Sequence, residues 1–199
     1  MTASSFPVLS ALIFFPLAAS LALLMVKGEE AVRRLPLAAG LAEIALALPL
    51  AGFDLASGGF QFVEKASWVP QWGLTYHLGI DGISLLLIVL TGFLTPIALL
   101  SSWGSVHKKV KEFSIFMLLL ETAMIGVFAS LDLFLFYVFW EAMLIPMYFL
   151  IGVWGYDRRL YAAIKFLLFT MAGSVLMLIA ILSLAVMHNM QFGSYSFDL

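Results

Sequence analysis

Four ionisable side chains lie inside long apolar runs: the carboxyl groups of Glu43, Glu121 and Glu141 and the amine of Lys165. An ionised group at the centre of a bilayer costs about 2.5–3.5 kcal/mol on insertion scales, so such residues face a polar interior or one another. A carboxyl group in that setting gains or loses a proton according to the charges beside it. The chemistry that these residues offer is therefore proton or cation transfer within a membrane.

Glu141 is the strongest of the four candidates. It is the ninth residue of the apolar run 133–153, about 12 Å from the nearer boundary, too deep to reach a surface easily. Tyr137 and Tyr148, four residues before it and seven after, share its helix face. Pro146 has no N–H, which frees a backbone carbonyl beside the acid and predicts a kink. This arrangement favours a proton path over a neutral acid that only joins helices.

The other three residues carry weaker signals. Glu121 is also near mid-depth, but its neighbours on the helix face are apolar, so it requires a partner from another helix. A proton-transfer role and a structural hydrogen bond both remain open for it. Lys165 lies about 8 Å inside its run, a depth from which a lysine can extend to the surface. Glu43 is surrounded by Ala, Leu and Ile and ranks below Glu121.

Composition places the chain in a bilayer. Its 199 residues are 63% hydrophobic and 11% charged, whereas soluble domains carry about 25% charged residues. Six continuous apolar runs each approach or exceed the roughly 17–25 residues that cross a membrane as a helix. The prediction is an all-α integral membrane protein in which residues 1–199 form one polytopic bundle of about six transmembrane helices, at 6–26, 35–52, 82–103, 113–130, 133–153 and 160–187.

The basic residues predict how the bundle is oriented. Eight of the ten lie on three alternate connections, which must share one face: Lys27, Arg33, Arg34, Lys108, Lys109, Lys111, Arg158 and Arg159. The positive-inside rule places that face in the cytoplasm and both termini on the outer side. The long connection 53–81 is then outside, where the alternation in FQFVEKASWVP predicts a short hairpin. Asp81 is predicted to be the N-cap of the third helix.

Several kinds of chemistry find no support in the sequence. The chain has no cysteine, which excludes disulfides, thiolate metal sites and iron–sulfur ligation by thiolates. None of its three histidines lies inside an apolar run, so a haem-carrying bundle is disfavoured. No Gly-rich phosphate loop, metal-ligand cluster or nucleic-acid signature is visible. The residues alone predict a carrier of protons or cations.

Three segments resemble a known family. FYVFWEAMLIPMYFLIGVWG (136–155) resembles helix five of the subunit M (chain 4) family of NADH–quinone oxidoreductase, respiratory complex I. YHLGIDGISLLLIVLTG (76–92) resembles that family's entry into helix three. RLYAAIKFLLFTMAGSVLMLIAIL (159–182) resembles its helix six. The resemblance covers most of 76–190, and the first 75 residues match only in pattern.

The resemblance implies a proton-pumping, multi-pass subunit of the bacterial inner membrane, surrounded by lipid and by neighbouring antiporter-like subunits of the complex. Glu141 matches the family's helix-five glutamate by its WEAMLIPMY context, and Lys165 matches a lysine of helix six. The glutamate's partner lysine belongs to helix seven, beyond Leu199, and Glu121 has no assured role. The family implies no cofactor or metal in this chain, since NADH, FMN, iron–sulfur clusters and quinone are expected in partner subunits.

Members of the family are much longer, so the sequence resembles their N-terminal part. Two alternatives remain. One is a subunit of a multisubunit cation/proton antiporter or membrane-bound hydrogenase, which share this helix arrangement. The other is a non-transporting scaffold that only helps a complex to assemble.

Overall fold

The computed structural model describes residues 6–199, which form six α-helices and one two-stranded antiparallel hairpin. Short 3-10 helices lie at Leu48–Gly52, Pro70–Trp72 and Ser102–Gly104. In this range all six α-helices are long and apolar enough to cross a membrane, which confirms a mostly helical bundle with six candidate spans. The elements are α1 Val8–Met25, α2 Glu29–Leu46, β1 Gln61–Val69, β2 Leu74–Ile80, α3 Gly82–Ser101, α4 Val110–Ala129, α5 Leu133–Trp154 and α6 Arg159–Phe192.

Two helices differ in length from the predicted runs. α2 begins at Glu29 rather than at 35 and ends at Leu46, before the 3-10 helix. Its charged first turns are compatible with a helix because Glu29 and Glu30 face Arg33 and Arg34 at i,i+4 spacing, with N–O distances of 4.0 and 2.5 Å. α6 continues past 187 until Gly193, whose φ of 74° terminates it. At 34 residues it is about 51 Å long, more than the hydrocarbon thickness.

α4 lies at the centre of the bundle. It packs against α1, α2, α3 and α5, whereas α6 packs mainly against α5. The approach of α4 to α5 is closest at Gly126, where a Cβ atom would lie 2.4 Å from the ring of Phe139. Small residues allow this kind of close packing between membrane helices, where no hydrophobic effect draws the helices together.

Gly126→Ala is therefore expected to destabilise the bundle by about 1–3 kcal/mol, because the added methyl group overlaps the Phe139 ring. Unfolding in detergent, followed by circular dichroism, measures the change. Gly173→Ala in α6 is the matched control, since a Cβ atom there meets nothing within 4 Å. Equal stability of the two variants would contradict the close contact between α4 and α5.

One end of the bundle, here called the hairpin end, is covered by β1 and β2, as the alternation predicted. Asp81 caps α3, also as predicted, accepting a hydrogen bond from the Ser84 N–H at 2.7 Å. The hairpin caps α1 as well. The Glu64 carboxylate accepts from the N–H groups of Leu9 and Ser10 at 2.7 and 3.1 Å. This cap from a distant residue satisfies N–H groups that no side-chain cap within the helix reaches.

The segment after α6 returns to the same end. The Asp198 carboxylate accepts hydrogen bonds from Lys65 at 2.5 Å and from Thr75 at 2.8 Å, and it lies 2.9 Å from the His77 ring. Burial opposes ionisation of Asp198, but these contacts outweigh it and hold the pKa of the carboxyl group below its usual value. The start of α1 and the C-terminal segment therefore lie at one end of the bundle.

The opposite end, here called the basic end, brings together the three Lys- and Arg-rich connections. Lys111 Nζ donates to the carbonyl groups of Leu24 and Val26 at 2.6 and 3.0 Å. Arg33 donates to the carbonyl group of Trp103 at 3.0 Å, which joins the first connection to the second. The alternate connections thus share one face, as the charge pattern predicted.

Candidate functional site

Glu141 lies at the contact between α5 and α6. It is eight residues after Leu133, about 12 Å from the hairpin end. The side chain is half-buried, and the Ser174 hydroxyl group of α6 donates a hydrogen bond to its Oε1. Tyr137 lies beside both residues. The site therefore has a carboxyl group, a hydroxyl group and a phenol at mid-depth, contributed by two helices.

The polar face predicted for α5 also includes Tyr148, but this residue does not reach the site. Tyr148 makes an edge contact with Phe149, with ring centroids 5.4 Å apart. In the part of the chain that the structure describes, no hydrogen bond joins Tyr148 to Glu141. Pro146 lies inside α5, and the helix continues past it to Trp154. The hydrogen-bond donor to Glu141 comes from α6, not from Tyr148.

Lys165 is separate from Glu141. It is exposed, and its Nζ lies 5.7 Å from the centroid of the Tyr161 ring. Nine residues of α6 separate it from Ser174, which is about 13 Å along the helix axis. Over residues 6–199 no ion pair joins Lys165 to an acid. The structure therefore does not bring Glu141 and Lys165 together.

Glu121 and Glu43 form a second buried group on the other side of α4. Both carboxyl groups are 1% exposed and face each other between α4 and α2, with Thr95 of α3 beside Glu121. Among the described residues, none donates a hydrogen bond to any of the four carboxyl oxygens. Glu121 requires a partner from another helix, and that partner is Glu43, a second acid. From the sequence alone, Glu43 ranked below Glu121 as a candidate.

Two cavities meet this acid pair. Glu43 lines an apolar cavity of about 370 Å³ bounded mainly by α3 and by the 3-10 helix that follows α2. Glu121 lines a smaller cavity of about 140 Å³ between α3 and α4, which also contains the hydroxyl groups of Thr91 and Thr95. The described residues contain no group of three or more acidic or histidine side chains that could hold a metal ion. A carboxyl group at either site can bind and release a proton.

Sequence reasoning did not find Ser174 or the pairing of Glu43 with Glu121. A serine within the small-residue stretch MAGS of α6 was the only signal for the first. The local sequence gives no indication that Glu43 pairs with Glu121, because the sequence neighbours of both acids are apolar.

Two family profiles match consecutive parts of the chain. "NADH-ubiquinone oxidoreductase chain 4, amino terminus" matches residues 55–130, and "NADH:quinone oxidoreductase/Mrp antiporter, TM" matches residues 130–198. The chain is 48% identical to NADH-quinone oxidoreductase subunit M of Rhodobacter capsulatus over 186 residues, 90% of this chain and 36% of that protein. It is 42% identical to an NAD(P)H-quinone oxidoreductase chain 4 of Synechococcus elongatus over 203 residues, 100% of this chain and 37% of that one. The chain thus spans little more than a third of these relatives.

Two solved structures are similar to this chain in fold. A chain of respiratory complex I from Thermus thermophilus superposes with a TM-score of 0.79 at 28% identity, covering 96% of this chain and 38% of that one. A chain of the Mrp complex from Dietzia superposes with a TM-score of 0.69 at 20% identity, covering 94% of this chain and 20% of that one, and shows a shared fold alone.

Proposed function

We propose that this chain, which belongs to the subunit M family of NADH-quinone oxidoreductase, carries protons across the membrane as part of that complex. The observation that carries the proposal is Glu141. It is an acid at mid-depth in the family's helix-five motif, and a neighbouring helix supplies a hydroxyl donor to it. A carboxyl group held in this way binds a proton when no cation is near and releases it when a cation approaches.

The cation that controls Glu141 comes from outside the described bundle. Lys165 is too far along α6 to pair with Glu141 and points to the surface. The family implies a lysine on a later helix. The exposed apolar faces of α5 and α6, which carry Ile145, Phe149 and Leu176, leave room for such a helix. We assign Lys165 a role nearer the basic end, where it would accept or deliver protons.

The orientation follows from the two ends of the bundle. The basic end faces the cytoplasm of a bacterial inner membrane, and the hairpin end, with the start of α1 and the C-terminal segment, faces outward. Glu141 then lies closer to the outer surface than to the inner one. Protons would reach it from the basic end past Lys165 and leave toward the hairpin end.

The chain supplies proton transfer and no electron transfer. NADH oxidation and quinone reduction belong to partner subunits, which hold the cofactors, and their energy reaches this chain as a change in the charges near Glu141. Other membrane-arm subunits and lipid cover the apolar outer faces. Glu141 is the residue through which this coupling becomes proton movement.

Affinity purification distinguishes this proposal from a subunit of a cation/proton antiporter or a membrane-bound hydrogenase. The tagged chain, extracted from source membranes in mild detergent, is expected to bring NADH:quinone oxidoreductase activity with it. A tagged unrelated membrane protein from the same cells is the control. Recovery of antiporter subunits or a hydrogenase, without NADH oxidation, would contradict the proposal.

A further inference from the structure

We propose that Glu43 and Glu121 form a second proton-binding site, in which the two carboxyl groups share a bound proton. This site is distinct from Glu141. Glu121 faces α2 and α3 from α4, whereas Glu141 faces α6 from α5. Each is eight residues from the hairpin end of its helix, so both sites lie about 12 Å deep.

The pair has no other source of hydrogen bonds. All four carboxyl oxygens are buried and unpartnered within the described range. Thr95 is the nearest hydroxyl group, but its proton is donated to the Thr91 carbonyl at 3.1 Å. Two facing carboxylates cannot hydrogen-bond to each other, because both only accept. A proton on one of them supplies the missing donor.

The surrounding helices carry no charge that could replace this proton. α1 and α3 contain no titratable side chain within their bounds. The basic residues nearest in sequence are Arg34 on α2, nine residues from Glu43, and Lys111 on α4, ten residues from Glu121, which is about 14 and 15 Å along the helix. Glu141 on α5 is an acid and supplies no positive charge. Among residues 6–199, each acid is therefore the only close ionisable neighbour of the other.

Burial makes the doubly ionised pair unfavourable. Unpaired buried charges cost several kcal/mol each, and like charges at one site resist joint ionisation. Uptake of one proton forms a single O–H bond and leaves one negative charge shared by the pair. Aspartic proteases use two carboxyl groups in the same way. Glu43 and Glu121 thus gain both a hydrogen bond and a smaller buried charge.

A proton fits this site better than a metal ion. The pair and the Thr95 hydroxyl group offer five oxygens, and the walls are otherwise apolar, with Leu12 and Ile125 nearby. Ca²⁺ takes six to eight oxygen ligands and Mg²⁺ requires an octahedron. Exchange with solvent is expected on the Glu121 side, where the smaller cavity contains two hydroxyl groups.

Infrared difference spectroscopy tests the site on the whole chain in lipid nanodiscs. Glu141→Gln serves as the background, so that any protonated acid at the first site is removed. At neutral pH this chain is expected to show a carboxylic acid C=O band that shifts in D₂O. Adding Glu43→Gln or Glu121→Gln should remove or displace the band, whereas adding Glu112→Gln, at an exposed position, should leave it unchanged.

Two results would overturn the proposal. The first is the absence of any protonated carboxyl band in the Glu141→Gln background at neutral pH, a measurement that needs neither pair variant. The second is loss of the band on addition of Na⁺ at constant pH, which would identify a metal cation as the occupant. Circular dichroism confirms that each variant keeps its helical content.

Discussion

Glu141→Gln is expected to lower proton uptake driven by NADH about tenfold or more, at least about 1.4 kcal/mol in the barrier to transfer. Glutamine keeps the size of the side chain and can still accept the hydrogen bond from Ser174. It cannot gain and lose a proton, so only charge cycling is removed. The effect is therefore expected on proton transfer and not on assembly of the complex.

The measurement uses inverted membrane vesicles and a pH-sensitive dye, with assembled complex quantified on native gels. Glu112→Gln is the matched control, because it removes an exposed carboxyl group from the basic end. Ser174→Ala keeps the acid but removes its donor, and we expect a smaller loss. If Glu141→Gln pumped protons like the wild type at equal assembly, Glu141 would not be the transfer site.

Asp132→Ala is expected to cost about 3–5 kcal/mol of folding free energy. Its carboxyl group is 1% exposed. It accepts the N–H groups of Phe134 and Leu135, both at 2.9 Å, which caps α5. It also accepts a hydrogen bond from the N–H group of Thr75 at 3.1 Å, which fixes β2 to the bundle. Removing the carboxyl group leaves three N–H donors without their acceptor, two of them in a helix cap.

Thermal unfolding and limited proteolysis in detergent measure this effect, and the hairpin is expected to become protease-sensitive first. Asp132→Asn keeps one oxygen and should lose about half as much stability. Asp54→Ala is the control, since Asp54 is exposed and accepts only a local hydrogen bond from Ala56. A loss at Asp132 no greater than that at Asp54 would mean that the cap does not hold the hairpin end together.

The amino-acid sequence by itself determined the helices and the two ends of the bundle, and it singled out Glu141 as the leading candidate for proton transfer. A bilayer forces each apolar run to satisfy its own backbone hydrogen bonds, so the spans follow from local composition. Charge is equally local, and alternate basic connections must lie together. The depth of Glu141 follows from counting residues. Its match to the family's helix-five glutamate rests on the residues around it, WEAMLIPMY. The predicted ends of α2 and α6 differ from those in the structure, because caps and ion pairs determine where a helix begins and ends.

Tertiary structure alone decided which side chains meet. Ser174 reaches Glu141 from the next helix, which no count along α5 predicts. Asp132 looks like one more acid in a loop until β2 is folded against it. Glu43 and Glu121 are each surrounded in sequence by apolar residues and become a site only when α2 packs beside α4. Hydrophobic patterning fixes that a helix spans the membrane but leaves its rotation open. Rotation is set by close packing, as at Gly126, and it decides which acids face each other.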